Sequence, residues 1–349
     1  MTLGLVAARA GHVKVSVANL PFAGGAEPNW FMQMNFAERI TWPALPSELR
    51  AQIESVLGSE VVDSRSQTGG FSPGTADRIV TADGRRAFVK AVSRELNEGS
   101  ANLHVREAKI AASLHSSLPV PRFIGHQTWE NWEALIFSDI DGCSPKLPWN
   151  QNELLAVLDV LAGMTREPLD VGEIQLPELY EDVREDFQGF RRLMSDGYIP
   201  EDPWVAANTA ELNELAQKAD EALAGDQLVH SDLRSDNLLI DTSGEIILVD
   251  WPWATRGAAW YDGLTVLIEA KIFNPDFDAD RLIASHELFN GVASEAVDAV
   301  LAGLAGFYVD AARRPPIPSL PTLRDYHAKQ ASATVAWLKG RLDSRSRLA

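Results

Sequence analysis

Between Leu228 and Ile240 the chain reads LVHSDLRSDNLLI, an apolar strand, a tight polar loop and a second apolar strand. His230, Asp232 and Asn237 stand in that loop at the spacing H-x-D-x-x-x-x-N. Phosphoryl transfer uses those residue types at those intervals. A carboxylate takes the proton of an attacking hydroxyl, and an amide oxygen five residues on holds a metal ion. The strand-like EIILVDWPW follows and delivers Asp250 at its end, a second carboxylate suited to the Mg²⁺ that bridges nucleotide phosphates. In isolation the triplet also reads as a polar turn, with Asp232 and Asp236 capping backbone N–H groups. Asp250, arriving from the next strand, weighs against that plainer reading.

Such a centre needs elements that hold a nucleotide against it, and the upstream half supplies candidates. In QTGGFSPGTADRIVTADGRRAFVKAV, Gly69, Gly70, Ser72 and Gly74 lie between two strand-like segments, and Ala82-Asp83-Gly84 makes a hairpin turn before a third. Glycines there let backbone N–H groups close over phosphates, although a glycine cluster is also an ordinary loop. Lys90 sits in the apolar strand Ala87 to Val92 and either faces solvent or reaches inward to the α/β-phosphates. An inward ammonium needs a counter-charge. Glu107, on a helix expected over Asn102 to His115 with Leu103, Ile110 and Leu114 as its apolar stripe, is the chosen partner; the alternative is a solvent-facing Glu107. Strands expected over Arg122 to Glu130 and Trp132 to Ile140 end in LIFSDIDG. There the backbone of Phe137, Ser138, Asp139 and Ile140 can meet an adenine edge, while the Asp139 and Asp141 side chains are read as solvated or turn-capping.

Beyond Pro148 the pattern is helical. Leu154, Leu155, Leu158 and Leu161 form one stripe, and Leu212, Leu215, Ala219 and Leu223 form another that ends at Gly225. Between them, Glu181, Asp182, Glu185 and Asp186 line either an acceptor site or, the reading favoured, a solvated helix face. A helix restarts after Asp250 near Gly263 to Lys271, and Ser285 to Arg341 is mostly helical with a PPIPSLP kink near residue 318.

At 349 residues the chain exceeds one ordinary core, so two lobes are expected. Residues 1–33 show little periodicity and are expected to be a loosely packed extension. Residues 34–141 are expected to form a nucleotide-binding lobe closed by the hinge, and residues 142–349 a helical lobe carrying the polar loop and the acceptor site. The net charge of −18 argues against nucleic-acid partners, which demand a basic face. It would suit a cationic acceptor, though most of these carboxylates serve solvation. No apolar run is long enough to span a membrane. The single cysteine, Cys143, fits a reducing, cytoplasmic setting. A monomer or a homodimer are equally compatible with the sequence.

Glycine loop, strand lysine, helix glutamate, H-x-D-x-x-x-x-N and metal carboxylate occur here in kinase order. From about Ser47 onward the chain resembles the aminoglycoside phosphotransferase family of small-molecule kinases. The resemblance implies an α+β, two-lobed protein-kinase-like fold: an N-terminal antiparallel sheet with a helix, then a mostly helical lobe. It implies ATP, with GTP as an alternative, Mg²⁺, and a hydroxyl acceptor that is an aminoglycoside-like antibiotic or an amine or sugar metabolite such as choline or homoserine. By the same resemblance Asp232 is the base, His230 braces its loop, and Asn237 and Asp250 ligate Mg²⁺. Lys90 with Glu107 holds phosphate, Gly69 to Gly74 covers the nucleotide, and Phe137 to Ile140 meets adenine. Asp262 resembles an aspartate that steadies the catalytic loop, alongside a plain helix-capping reading.

Departures from the family pattern carry information. Ser231 stands where a glycine is common. Arg234, two residues past the base, either offsets transition-state charge or is simply exposed. Asp250-Trp251-Pro252 is not Asp-Phe-Gly, and no Ala-Pro-Glu follows, which favours a small acceptor over a protein one. A nucleotide-binding pseudokinase is the rival from another class, and the presence of Lys90, Asp232, Asn237 and Asp250 argues against it.

Overall fold

The computed structural model describes residues 39–67, 73–166, 171–172, 174–317 and 322–346. The expected extension over 1–33, the glycines Gly69 and Gly70, Ser72 and the kink near 318 lie outside them. Helix α1 (Ser47–Leu57) stops at Gly58, whose φ of 72° only glycine adopts without strain. Strands β1 (Val61–Ser66), β2 (Thr75–Thr81) and β3 (Arg86–Ser93) lead to helix α2 (Glu98–Ser113), capped by the Asn97 side chain on Ser100 N–H. Strands β4 (Phe123–Trp129) and β5 (Trp132–Ser138) complete a sheet of order β1-β2-β3-β5-β4, antiparallel throughout.

Period-two alternation settles which face each β3 side chain takes. Ala87, Val89 and Ala91 pack with Ile79, Ala134 and Ile136 against Leu49 and Ile53 of α1. Phe88 joins Ala76, Leu135, Phe137 and Ala108 on the opposite face, under α2. Lys90 shares the parity of Phe88, so its stem enters the same side of the sheet, and the residue is only 2% exposed. That placement excludes the solvent-facing reading of Lys90.

After the two-residue strand β6 (Gly142–Cys143) the chain becomes mostly helical. Helices α3 (Gln151–Met164), α4 (Pro203–Gln217), α5 (Trp260–Phe273), α6 (Ser294–Ala312) and α7 (Leu323–Ser346) are the long elements. The expected stripe from Leu212 to Leu223 is broken at Lys218 into α4 and a short helix at Ala219–Leu223. Two small antiparallel ribbons sit against the helices. Strands at Gln227–Val229 and Thr255–Gly257 pair with each other, and Leu238–Asp241 lies between Gly142–Cys143 and Ile246–Leu248. One apolar core runs through this half, with α5 buried on nearly all sides and α6 at its centre. Among the described residues no helix is long and apolar enough to cross a membrane.

Candidate active site

The polar loop sits between the Gln227–Val229 and Leu238–Asp241 strands, where one turn of 3-10 helix (Ser235–Asn237) makes the bend. Its backbone is held from below by Asp262 in the first turn of α5. The Asp262 carboxylate accepts the His230 and Ser231 N–H groups at 2.7 and 3.0 Å. Burial pushes that carboxyl up to about 7, against the pull of the two donors. The helix begins at Trp260 with Ala259 in the N-cap position, so Asp262 lies inside its first turn and, of its two sequence readings, the helix cap is corrected. His230 is fully buried against the Trp251 ring and donates through Nε2 to the Val249 carbonyl at 2.9 Å, tying the loop to the segment that leads from the Ile246–Leu248 strand to Asp250. Ser231 has φ 65°, in the left-handed region. A glycine would adopt it freely, whereas serine is strained there and is held by a 2.7 Å bond to the Thr255 hydroxyl.

Asn237 donates Nδ2 to the Asp232 carbonyl at 2.9 Å and to its carboxylate at 3.2 Å. Its backbone carbonyl accepts Val249 N–H at 3.0 Å. The other end of the amide, Oδ1, is buried and has no hydrogen-bond partner among the described residues. An oxygen that has lost its water and gained no donor is costly, and a cation would satisfy it. Asp250, with φ 69°, places its carboxylate 2.8 Å from the Lys90 ammonium. Lys90 also lies 2.8 and 2.9 Å from the two oxygens of Glu107, which comes across from α2. Burial opposes the charge on Lys90, but Asp250 and Glu107 outweigh it, so its pKa lies above the ordinary lysine value. The solvent-facing alternative for Glu107 is thereby excluded.

Asp232 with Asn237, and Asp250 with Lys90 and Glu107, thus form two contacting groups, joined by the bond from Val249 N–H, one residue before Asp250, to the Asn237 carbonyl. Among the described residues no three His, Cys, Asp or Glu side chains gather into a cage for a metal. The donor set of one amide oxygen and one carboxylate fits Mg²⁺, which takes one or two protein ligands and completes its shell with phosphate and water.

Beside this series a narrow apolar slot is lined from both halves by Phe88, Val120, Phe137, Ile140, Leu239 and Val249. A flat heteroaromatic base fits such a slot. At the expected hinge the Ser138 backbone is narrowed to its carbonyl, and the reading of the Asp139 side chain needs correction. Ser138 N–H is already donated to the Arg122 carbonyl at 2.8 Å, and Ser138 Oγ accepts Arg122 N–H, so Ser138 offers no backbone donor to a base. Asp139 is neither solvated nor a turn cap. Arg78 grips it through two bonds of 2.6 and 2.7 Å, and Arg86 adds a third. Gly74 has a structural cause of its own, because a Cβ there would collide with the Ala91 carbonyl of β3.

On the far side of Asp232 a second cavity of ≈ 120 Å³ opens among the helices. Arg234 lines it and is neither exposed nor free. It binds Asp236 through two bonds of 2.9 and 2.6 Å, lies over the Tyr326 ring, and comes no nearer to Asp232 than 3.9 Å. Of the acidic stretch, only Asp186 reaches this cavity; Glu181 pairs with Arg184 on the surface and Asp182 turns to Arg106. Glu269, which sequence reading passed over, lines it from α5. Its oxygens accept Ser235 N–H, Ser235 Oγ and Trp149 Nε1, and burial, aided by Asp236, pushes its carboxyl up to about 7. A carboxylate one helical face from Asp262 was the available signal.

A model of the phosphotransferase enzyme family matches residues 69–304, more than half of the chain. No curated protein matches the sequence. Among solved structures, an aminoglycoside phosphotransferase from Alicyclobacillus acidocaldarius is similar at TM-score 0.55 and 15% identity, over 87% of this chain and 97% of that one. Choline kinase from Streptococcus pneumoniae is similar at 0.51 and 13%, over 84% and 98%. A spectinomycin phosphotransferase in complex with ADP and spectinomycin is similar at 0.51 and 13%, over 86% and 99%. Identities this low establish a shared fold.

Proposed function

The chain belongs to the phosphotransferase enzyme family and has the protein-kinase-like fold of its small-molecule kinases, and from that premise we propose that it moves the γ-phosphate of ATP to a hydroxyl of a small molecule. The observation that carries this reading is that Asp232 bonded to Asn237 is tied, through the Asn237 carbonyl and Val249 N–H, to the segment bearing Asp250, whose carboxylate meets Lys90 and through it Glu107. Those residues supply a proton acceptor, metal-binding oxygens and a cation for leaving phosphates within one cleft, and the ADP seen in the spectinomycin enzyme supports the choice of nucleotide.

In this mechanism Asp232 orients the acceptor hydroxyl and takes its proton, while Asn237 fixes the carboxylate by donating to it. Asp262 and His230 keep the loop in place. Asn237 Oδ1 and Asp250 would hold Mg²⁺, which would supply charge neutralisation to the nucleotide phosphates. Glu107 keeps Lys90 extended into the cleft so that its ammonium meets phosphate rather than solvent. Little covalent chemistry falls to the protein, and the acceleration comes from positioning and electrostatics. The test is ADP release with a panel of alcohols, with and without chelator. Release that needs acceptor, Mg²⁺ and Asp232 together is the expected result. ATP binding without any acceptor-dependent ADP would favour the pseudokinase reading.

A further inference from the structure

We infer that the acceptor is a compact, cyclic hydroxyl compound that carries at most one positive charge, held by ring stacking and neutral hydrogen bonds, and that polycationic aminosugars are not its substrates. The inference rests on the kinase reading above and narrows it. Six of the eighteen residues lining the cavity beside Asp232 are Phe, Tyr or Trp, against 8% in the whole chain. A wall with that many rings suits the apolar surface of a flat or alicyclic body.

The charges point the same way. A ligand with several ammonium groups needs several uncommitted carboxylates, since each desolvated cation must find a partner. Three carboxylates line the cavity. Asp232 is the base, and both oxygens of Glu269 are committed to Ser235 and Trp149. The third, Asp186, faces a cavity that also contains the Arg234 guanidinium. The chain's −18 charge is therefore not focused here.

The remaining polar groups are uncharged. His327, packed edge-on to Phe307 and stacked on Tyr308, is neutral because burial takes its pKa down to about 3. Burial likewise holds the Tyr326 hydroxyl in its neutral form. Neutral donors and acceptors set among rings match the hydroxyls of a polyol or an aromatic alcohol better than they match ammonium groups. The cavity's ≈ 120 Å³ lies below the roughly 300 Å³ at which ordinary ligand pockets begin, which favours a compact acceptor over a bulky one.

The experiment is acceptor-dependent ADP release by the full chain with Mg²⁺ and ATP, comparing neutral cyclic alcohols, singly charged ones and polycationic aminoglycosides at low and at physiological salt. Expected are turnover with the first or second group, an acceptor KM that changes less than about twofold with salt, and none with the third. Tyr326→Leu should raise acceptor KM about tenfold, in line with the loss of one stacking ring, while Tyr326→Phe recovers most of that. An unchanged KM for ATP in both variants shows that the fold is intact. A polycation used at lower KM than any neutral alcohol, or an acceptor KM that climbs steeply with salt, overturns the inference and leaves the kinase reading standing. Absence of ATP binding overturns both.

Discussion

The two sides of Asp232 are built on opposite principles. Towards the nucleotide, charge is buried and matched: Lys90 meets two carboxylates within 2.9 Å, and Arg78 meets Asp139 through two bonds. Towards the proposed acceptor the wall is aromatic, and its charges are engaged by neighbours, Arg234 by Asp236 and Glu269 by the Ser235 hydroxyl. A triphosphate with its metal has a fixed charge pattern, and a fixed constellation of side chains answers it. An acceptor is selected by shape, which many combinations of rings can supply.

Substituting Asp232, the proposed base, separates the two sides most sharply. In Asp232→Asn the carboxylate that contacts Asn237 is lost, and kcat should fall by about 10²–10⁴, while ATP affinity measured by calorimetry holds. A comparable fall in ATP affinity would mean that the nucleotide and acceptor sides are not separable at Asp232.

The next largest effect tests whether the nucleotide side is one charge cluster. Lys90→Met leaves Glu107 and Asp250 facing each other without their cation. Breaking a buried pair in this way costs about 3–5 kcal/mol, so chemical denaturation should show a clear loss of stability as well as of turnover. Lys90→Met with Glu107→Gln should recover part of the stability and none of the activity. If the single variant unfolds at the wild-type midpoint, the ammonium is not the centre of the cluster.

These differences also decide what the sequence could reveal. The grouping of Lys90 with Glu107 and Asp250, and of Asp232 with Asn237, was legible because the roles proposed for them on a triphosphate each fall to one residue type, and the chain order of the elements is fixed by the fold. Phe88 and Lys90 could be put on one face by period two alone. The acceptor wall was not legible. Phe187, Trp253, Phe307 and Tyr326 come from well-separated stretches of the chain, and no local spacing records how those stretches pack. Gly303 is the one local trace, since a Cβ there would occupy the place of the Phe187 ring, but its meaning needs the packed pair. Arg78 with Asp139, 61 residues apart, was misread for the same reason: in sequence, Asp139 is only an aspartate in a polar connector.

A pH series probes the two carboxyls under the catalytic loop. Asp262 and Glu269 both have pKa values of about 7 in the folded protein, well above the ordinary carboxyl values of 3.8 and 4.5. A raised folded pKa means that the native state binds more protons than the unfolded one between those limits. The stability each contributes is therefore fully present below pH 4 and is lost as pH rises towards 7. For Glu269 the full swing is at most about 3 kcal/mol. Urea midpoints should fall from mildly acid to neutral pH, and Glu269→Gln should flatten part of that slope, since an amide oxygen can still accept from Ser235. An unchanged slope would show that Glu269 titrates alike in both states.

The smallest effect concerns backbone strain on the loop that both sides share. Ser231 is left-handed at φ 65° and is held by its bond to Thr255. Replacing it with glycine removes a steric cost of about 1–2 kcal/mol but also loses a hydrogen bond worth about 1 kcal/mol and gives the unfolded chain more freedom. The terms nearly cancel, so Ser231→Gly should leave the unfolding midpoint almost unmoved. Ser231→Ala keeps the strain and loses the bond, so it should be the less stable of the two. The reverse order would mean that unfolded-chain freedom outweighs the strain at this position. The Asp262 carboxylate, holding the His230 and Ser231 amides in either variant, would then be enough by itself to keep the base between the charged side of the cleft and the aromatic one.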